Sequence, residues 1–103
     1  MENLIREIRA EELFELIQEG NSPYLIDIRE DYEYEDGHLN GRHIPMEDLI
    51  DRRKEIPLDQ KVVIYCNSGG RSKPMTWVLS NDYGFTNILS LEGGYEGYRD
   101  SCL

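Results

Sequence analysis

The stretch Lys61-Val62-Val63-Ile64-Tyr65-Cys66, followed at once by Asn67-Ser68-Gly69-Gly70, constrains the fold more than any other part of the chain. Its β-branched and aromatic residues favour an extended backbone, and the unbroken apolar run leaves neither face of the strand for solvent. A strand apolar on both faces needs a layer of helices on each side. Tyr24-Leu25-Ile26-Asp27-Ile28 has the same character, and Ile88-Leu89-Ser90-Leu91 reads as a further short strand.

Helical patterns lie between these strands. Ala10, Leu13, Phe14 and Ile17 recur at i, i+3, i+4 and i+7, with Glu11, Glu12, Glu15 and Gln18 on the other side. That spacing predicts an amphipathic helix, stopped by Gly20-Asn21-Ser22-Pro23. The acidic, tyrosine-rich segment from Glu30 to Gly37 predicts a short helix, then a loop and a brief strand before Pro45. Met46, Leu49, Ile50 and Arg53 share one face of a helix expected over Glu47 to Lys54, with Pro57 as its stop. Another helix opens at Arg71-Ser72, tolerates Pro74 in its first turn, buries Met75, Val78 and Leu79, and ends at Asp82-Tyr83-Gly84-Phe85. Gly93-Gly94-Tyr95-Glu96-Gly97-Tyr98 reads as a turn into a short C-terminal helix. Alternating strands and helices predict an α/β domain with a mostly parallel sheet and helices on both faces, in which ligands bind outside the carboxyl ends of the strands. With 103 residues, the expectation is one domain spanning residues 1–103.

Eleven Lys and Arg stand against 21 Asp and Glu, a net charge of −10. A surface of that sign repels phosphate backbones and anionic headgroups, so neither nucleic acid nor membrane is expected as a partner. No apolar run approaches the roughly 20 residues of a bilayer span, and Met1-Glu2-Asn3-Leu4-Ile5-Arg6-Glu7 is acidic where a secretory leader is basic and then apolar. The expected location is the cytoplasm. Cys66 and Cys102 are too few for a disulfide scaffold and match no zinc spacing.

Cys66 ends a strand, four small or polar residues follow, and Arg71 opens a helix, so several backbone N–H groups converge near the thiol in an anion nest. A helix N-terminus, oriented amides and a guanidinium each lower a thiol's pKa, and the thiolate is the nucleophilic form. Cys66 is therefore a candidate activated nucleophile. The glycines let the amides turn inward, and Arg71 supplies a planar charged fork for an anion or a terminal sulfur. The plain structural alternative makes Cys66 a small buried hydrophobe and Gly69-Gly70 an ordinary turn.

Cys66-Asn67-Ser68-Gly69-Gly70-Arg71-Ser72 resembles the active-site loop of single-domain rhodaneses. Leu25-Ile26-Asp27-Ile28-Arg29-Glu30 resembles that family's first-strand motif, Gly37-His38-Leu39-Asn40-Gly41-Arg42-His43-Ile44-Pro45 its Gly-His-Ile segment, and Leu91-Glu92-Gly93-Gly94-Tyr95 with Tyr98 its C-terminal Gly-Gly motif. The resemblance implies a three-layer α/β/α domain with a mostly parallel five-stranded sheet. It implies a sulfurtransferase in which Cys66 takes a sulfane sulfur from thiosulfate or a persulfide and passes it to cyanide or a thiol through a Cys66 persulfide. The amides of Asn67, Ser68, Gly69, Gly70, Arg71 and Ser72 would cradle the persulfide, and Arg71 would balance the donor's charge. Neither a metal nor an organic cofactor is implied. The partners are a small-molecule or protein sulfur donor and a thiol acceptor, and a monomer is favoured.

Asp27 and Arg29 are expected to form an ion pair that braces the cysteine loop, and His38 to hydrogen-bond a loop rather than act as a base. Arg42 departs from the family's usual alanine, and pairing with Asp36 or Glu47 is favoured over a place at the pocket mouth. Cys102 is read as an incidental thiol on a frayed tail, with a resolving or relay role as the alternative. Two rival functions remain: a cysteine phosphatase or arsenate reductase, whose loop carries five residues between Cys and Arg where this one has four, and a non-catalytic binding module. A sulfur carrier with one basic protein acceptor is a further variant.

Overall fold

The computed structural model describes residues 6–103; Met1 to Ile5, on which the reading of a non-leader N-terminus rests, lie outside the described residues. Five strands form one sheet: β1 (Glu7–Ile8), β2 (Tyr24–Asp27), β3 (Arg42–His43), β4 (Val62–Tyr65) and β5 (Ile88–Leu91). Their spatial order is β1-β5-β4-β2-β3, and every pairing is parallel. Five α-helices, α1 (Ala10–Gln18), α2 (Asp31–Glu35), α3 (Met46–Leu49), α4 (Ser72–Asp82) and α5 (Gly94–Cys102), and a 3₁₀ turn at Arg53–Glu55 complete the order of elements among the described residues.

β4 occupies the centre, where a strand apolar on both faces is covered on each side. Val62, Val63, Ile64 and Tyr65 are each wholly buried, and the strand pairs with β2 on one side and β5 on the other. Side chains alternate across the sheet. Ile64 and Cys66 thus join Ile26, Ile28, Leu49 and Leu79 in one apolar cluster, while Val63 and Tyr65 join Leu13, Leu25, Leu91 and Tyr98 in the other. Helices α3 and α4 cover the first cluster and α1 and α5 the second, giving the three layers. Among the described residues no helix is long and apolar enough to cross a membrane.

Two local expectations are corrected, and one element is added. The helix expected over residues 47–54 breaks into α3 and a 3₁₀ turn at Arg53–Glu55. The Ile50 carbonyl accepts both the backbone N–H of Arg53, at 3.3 Å, and its Nη1, at 2.7 Å, which is the i→i+3 pattern of a 3₁₀ turn rather than an α-helical one. In α4 only Leu79 of the expected apolar stripe is fully buried; Met75 and Val78 are half-buried, and Ser72 and Thr76 lie inside instead. Both hydroxyls are satisfied, Thr76 Oγ1 donating to the Ser72 carbonyl at 2.8 Å and Ser72 Oγ sharing a hydrogen bond with Ser90 Oγ at 2.8 Å. Finally, the edge strand β1 was not read from the residues. Two residues carry no periodicity, and the strand exists through its pairing with Ser90 and Leu91.

Candidate active site

Cys66 continues the buried row of β4 one residue beyond the strand, and its side chain ends at the carboxyl edge of the sheet with 1% exposure. The loop then folds back over the sulfur. Backbone N–H groups of Gly69, Arg71 and Ser72 donate to Sγ at 3.1, 3.3 and 3.3 Å, and Ser72 Oγ lies 3.5 Å from it. Gly69 adopts φ +100°, a conformation that strains any residue with a Cβ, and this aims its amide at the sulfur.

Burial by itself raises the Cys66 thiol's pKa. The Ser72 hydroxyl and the amides of Ser72, Arg71 and Gly69 oppose it, and together they hold the thiol below its ordinary value. The thiolate is thus stabilised mainly by dipoles.

The cradle is narrower than the loop. The hydrogen bonds to the sulfur come from Gly69, Arg71 and Ser72, while Asn67 faces sideways, accepting from Arg29 Nη1 at 3.4 Å and donating to Glu96 at 2.9 Å. Ser68 and Gly70 are exposed at the rim.

Below the loop, Gly94 brings α5 against its floor. The Tyr95 and Glu96 amides donate to the carbonyls of Cys66 and Asn67 at 2.8 and 2.9 Å. A Cβ on Gly94 would stand 2.6 Å from backbone atoms of both residues, and φ there is +62°. The sequence reading named this Gly-Gly motif but gave it no part in the site.

Asp27 and Arg29 form a buried ion pair at the end of β2. Arg29 Nη2 donates to Asp27 Oδ2 at 2.8 Å, Nε to Oδ1 at 3.0 Å, and the Arg29 amide to Oδ1 at 2.9 Å. The guanidinium then reaches Asn67, donates to the Gly37 carbonyl at 2.6 Å, and lies 4.6 Å from the Tyr95 ring centroid. It ties β2 to the loop and α5 without touching the sulfur.

Arg71 departs from the simple picture of a free fork. Glu33, in the first turn of α2, takes both of its terminal nitrogens, at 2.9 and 3.0 Å. Sequence reading missed Glu33, because its partner lies 38 positions away and nothing local announces the contact.

The remaining residues stay outside the sulfur's surroundings. His38 donates from Nδ1 to the Tyr34 carbonyl at 2.8 Å and stacks on the Tyr34 ring. Arg42 pairs with Glu55, not with Asp36 or Glu47. Cys102 is the last residue of α5 rather than part of a frayed tail, and its thiol packs with the α1 side of the sheet, on the face opposite Cys66. Among the described residues, no three His, Cys, Asp or Glu side chains cluster closely enough to hold a metal ion.

The chain is similar to known proteins in sequence and in fold. The chain is 34% identical over 93 residues to a sulfurtransferase of Allochromatium vinosum, covering 88% of this chain and 85% of that one. It is 41% identical over 73 residues to YqhL of Bacillus subtilis, covering 70% of this chain and 57% of that protein, so it spans little more than half of YqhL. A rhodanese-like domain protein of Staphylococcus aureus superposes with a TM-score of 0.82 at 25% identity, over 96% of each chain. The family model described as a rhodanese-like domain matches residues 9–101. With its parallel five-stranded sheet and its cysteine loop at the carboxyl edge, the chain belongs to the rhodanese-like domain family.

Proposed function

We propose that this protein is a sulfurtransferase that carries a sulfane sulfur as a persulfide on Cys66. The observation that carries the reading is the set of three backbone amides converging on Sγ of a thiol held below its ordinary pKa. The sulfurtransferase name of the Allochromatium vinosum relative supports the same chemistry.

The Cys66 thiolate attacks the outer sulfur of the donor. A new S–S bond forms on Cys66, the donor's S–S bond breaks, and its remainder leaves with the electron pair, as sulfite from thiosulfate or as a thiolate from a persulfide. The added sulfur lies among amides that stabilise negative charge without proton transfer. Cyanide or an acceptor thiolate then attacks that sulfur, and Cys66 departs as the thiolate. Each step is a displacement at sulfur, for which neither a metal nor an organic cofactor is required. Ser72 polarises Sγ, and Asp27 and Arg29 keep the loop seated through Asn67. The partners are a sulfur donor and a thiol acceptor in a reducing, cytoplasmic setting, with the protein acting as a monomer.

Intact-mass measurement of the reduced protein before and after thiosulfate or cysteine persulfide, and then after cyanide, tests this directly. The expected result is a gain of one sulfur atom's mass that cyanide erases, that Cys66→Ser abolishes and that Cys102→Ser retains. No gain from either donor sinks the reading. Cleavage of an aryl phosphate would then point to a phosphatase, and its absence to a binding module.

A further inference from the structure

Arg71 is the only cation in the loop from Cys66 to Ser72, and so the only side chain there that can meet an anionic donor with full charge. Its fork is already occupied. Nη1 and Nη2 each donate to a separate oxygen of Glu33, the paired geometry that makes arginine–carboxylate contacts strong and directional.

Glu33 is fixed from behind as well: Oε1 also accepts the Glu30 backbone N–H at 2.9 Å, tying the carboxylate to the start of α2. Its side chain is 15% exposed against 33% for Arg71, so the pair is half-buried rather than a loose surface contact. Arg71 pulls the Glu33 carboxyl below the usual carboxylate range, so it stays charged at neutral pH.

The cleft next to the loop has the same bias. It is an open polar hollow of about 610 Å³ whose walls include Glu33, Glu35, Asp36 and Glu96. Of its two arginines, Arg29 is held by Asp27 and Gly37, while the exposed Arg99 touches only its neighbour Asp100 through Nε; four carboxylates thus stand against one arginine open to solvent. A dianion entering this cleft, which reaches the loop at Glu33 and Asn67, meets carboxylates and an Arg71 whose charge Glu33 balances, and to take the fork itself it must compete with Glu33. A persulfide has at most one charge on its reacting sulfur and has no need of the fork.

We propose that Glu33 is a specificity-determining residue: by holding Arg71 it screens the thiol against small dianions such as thiosulfate and selects persulfides as sulfur donors. The donor selection rests on the sulfurtransferase reading; the screening of anions at Cys66 does not.

In the favoured reaction the Cys66 thiolate attacks the outer sulfur of R–S–SH. The Cys66 S–S bond forms, the donor S–S bond breaks, and RS⁻ leaves with the electron pair while the proton stays on the transferred sulfur. With thiosulfate the same displacement expels sulfite, so two negative charges must be accommodated beside Glu33 on entry and on departure.

Glu33→Gln tests the screen, because the amide oxygen still accepts the Glu30 N–H while the charge facing Arg71 is gone. Glu35→Gln serves as the control: it removes the same charge from the same cleft wall, at an exposed position outside the contact with Arg71, and so separates the cleft's general field from the hold on Arg71. The first readout is the ratio of Cys66 alkylation rates with anionic iodoacetate and neutral iodoacetamide, in which changes of thiolate fraction cancel. The ratio should rise about tenfold in Glu33→Gln, the size of one unit charge acting across about 6 Å in a half-solvated site, and less than about twofold in Glu35→Gln. The second readout is turnover: Glu33→Gln should lower KM for thiosulfate by a similar factor and leave KM for cysteine persulfide within about twofold. An unchanged alkylation ratio, or an equal rise in both variants, overturns the proposal. So does a parallel change of both donors' KM. Since alkylation involves no sulfur transfer, the screen stands or falls separately from the persulfide reading.

Discussion

The carboxyl ends of β2 and β4 lie side by side in the sheet and handle charge in opposite ways. At the end of β2 the charges are permanent and buried: Asp27 is 0% and Arg29 2% exposed, the Asp27 carboxylate accepts from Arg29, and the Arg29 guanidinium divides its donors among Asp27, Gly37 and Asn67. At the end of β4 the charge is conditional. Cys66 alternates in the proposed cycle between thiolate and persulfide, and what surrounds it is mainly backbone amides. A fixed ion pair holds structure because neither partner can leave without stranding the other in a low-dielectric interior. A sulfur that must change state is better served by dipoles, which stabilise negative charge yet tolerate its departure.

The largest expected effect comes from breaking the permanent side. Asp27→Asn strands a buried guanidinium, and urea denaturation should show a loss of about 3–5 kcal/mol. Replacing both partners, with Asp27→Leu and Arg29→Met together, should recover most of that loss. A single-variant cost below about 1 kcal/mol would mean that the pair is not what braces β2.

Gly94→Ala strikes the joint between the two regions. The new methyl meets backbone of Cys66 and Asn67 at 2.6 Å, and backbone cannot swing away as a flexible side chain would. A loss of about 1–3 kcal/mol is expected, together with slower Cys66 alkylation as the loop is pushed off α5. Normal alkylation at reduced stability would separate the floor of the loop from its chemistry.

Ser72→Ala is the smallest change and sharpens the dipole argument. It removes the hydroxyl near Sγ and leaves the three amides, so the thiol pKa should rise part of the way back towards its ordinary value. Because the folded thiol is held below its ordinary value, the wild-type alkylation profile should have its midpoint below that of an unstructured thiol and the variant's should move towards it. The linked stability has a matching sign: it is fully present above the ordinary thiol pKa and is lost as pH falls through the folded one. An unmoved midpoint would assign the depressed pKa to the amides alone. Stability is the poorer readout here, since the variant also deprives the Ser90 hydroxyl of its partner.

Much of the scaffold is legible locally. Val62 to Tyr65 announce a strand buried on both faces because every position is apolar and β-favouring, and Ala10, Leu13 and Phe14 mark a helix face because their spacing matches the helical period. The nucleophile is legible for the same reason, as a cysteine between a strand and a small polar loop. Features defined by a distant partner are not. β1 exists because Glu7 and Ile8 pair with Ser90 and Leu91, and Ser72 and Thr76 are buried polar residues whose partners the helical period does not reveal.

The alternation of strands and helices, the burial of β4 on both faces, and the position of Cys66 ahead of a loop able to turn its amides inward were all written in the sequence. These follow from short-range preference and period. Only the tertiary structure decided that Glu33 holds Arg71 across 38 positions, that Gly94 floors the loop, and that Cys102 sits on the face away from Cys66. Such contacts form where the parallel sheet brings loop ends together at one edge, and no residue's own propensity records which distant side chain will meet it there.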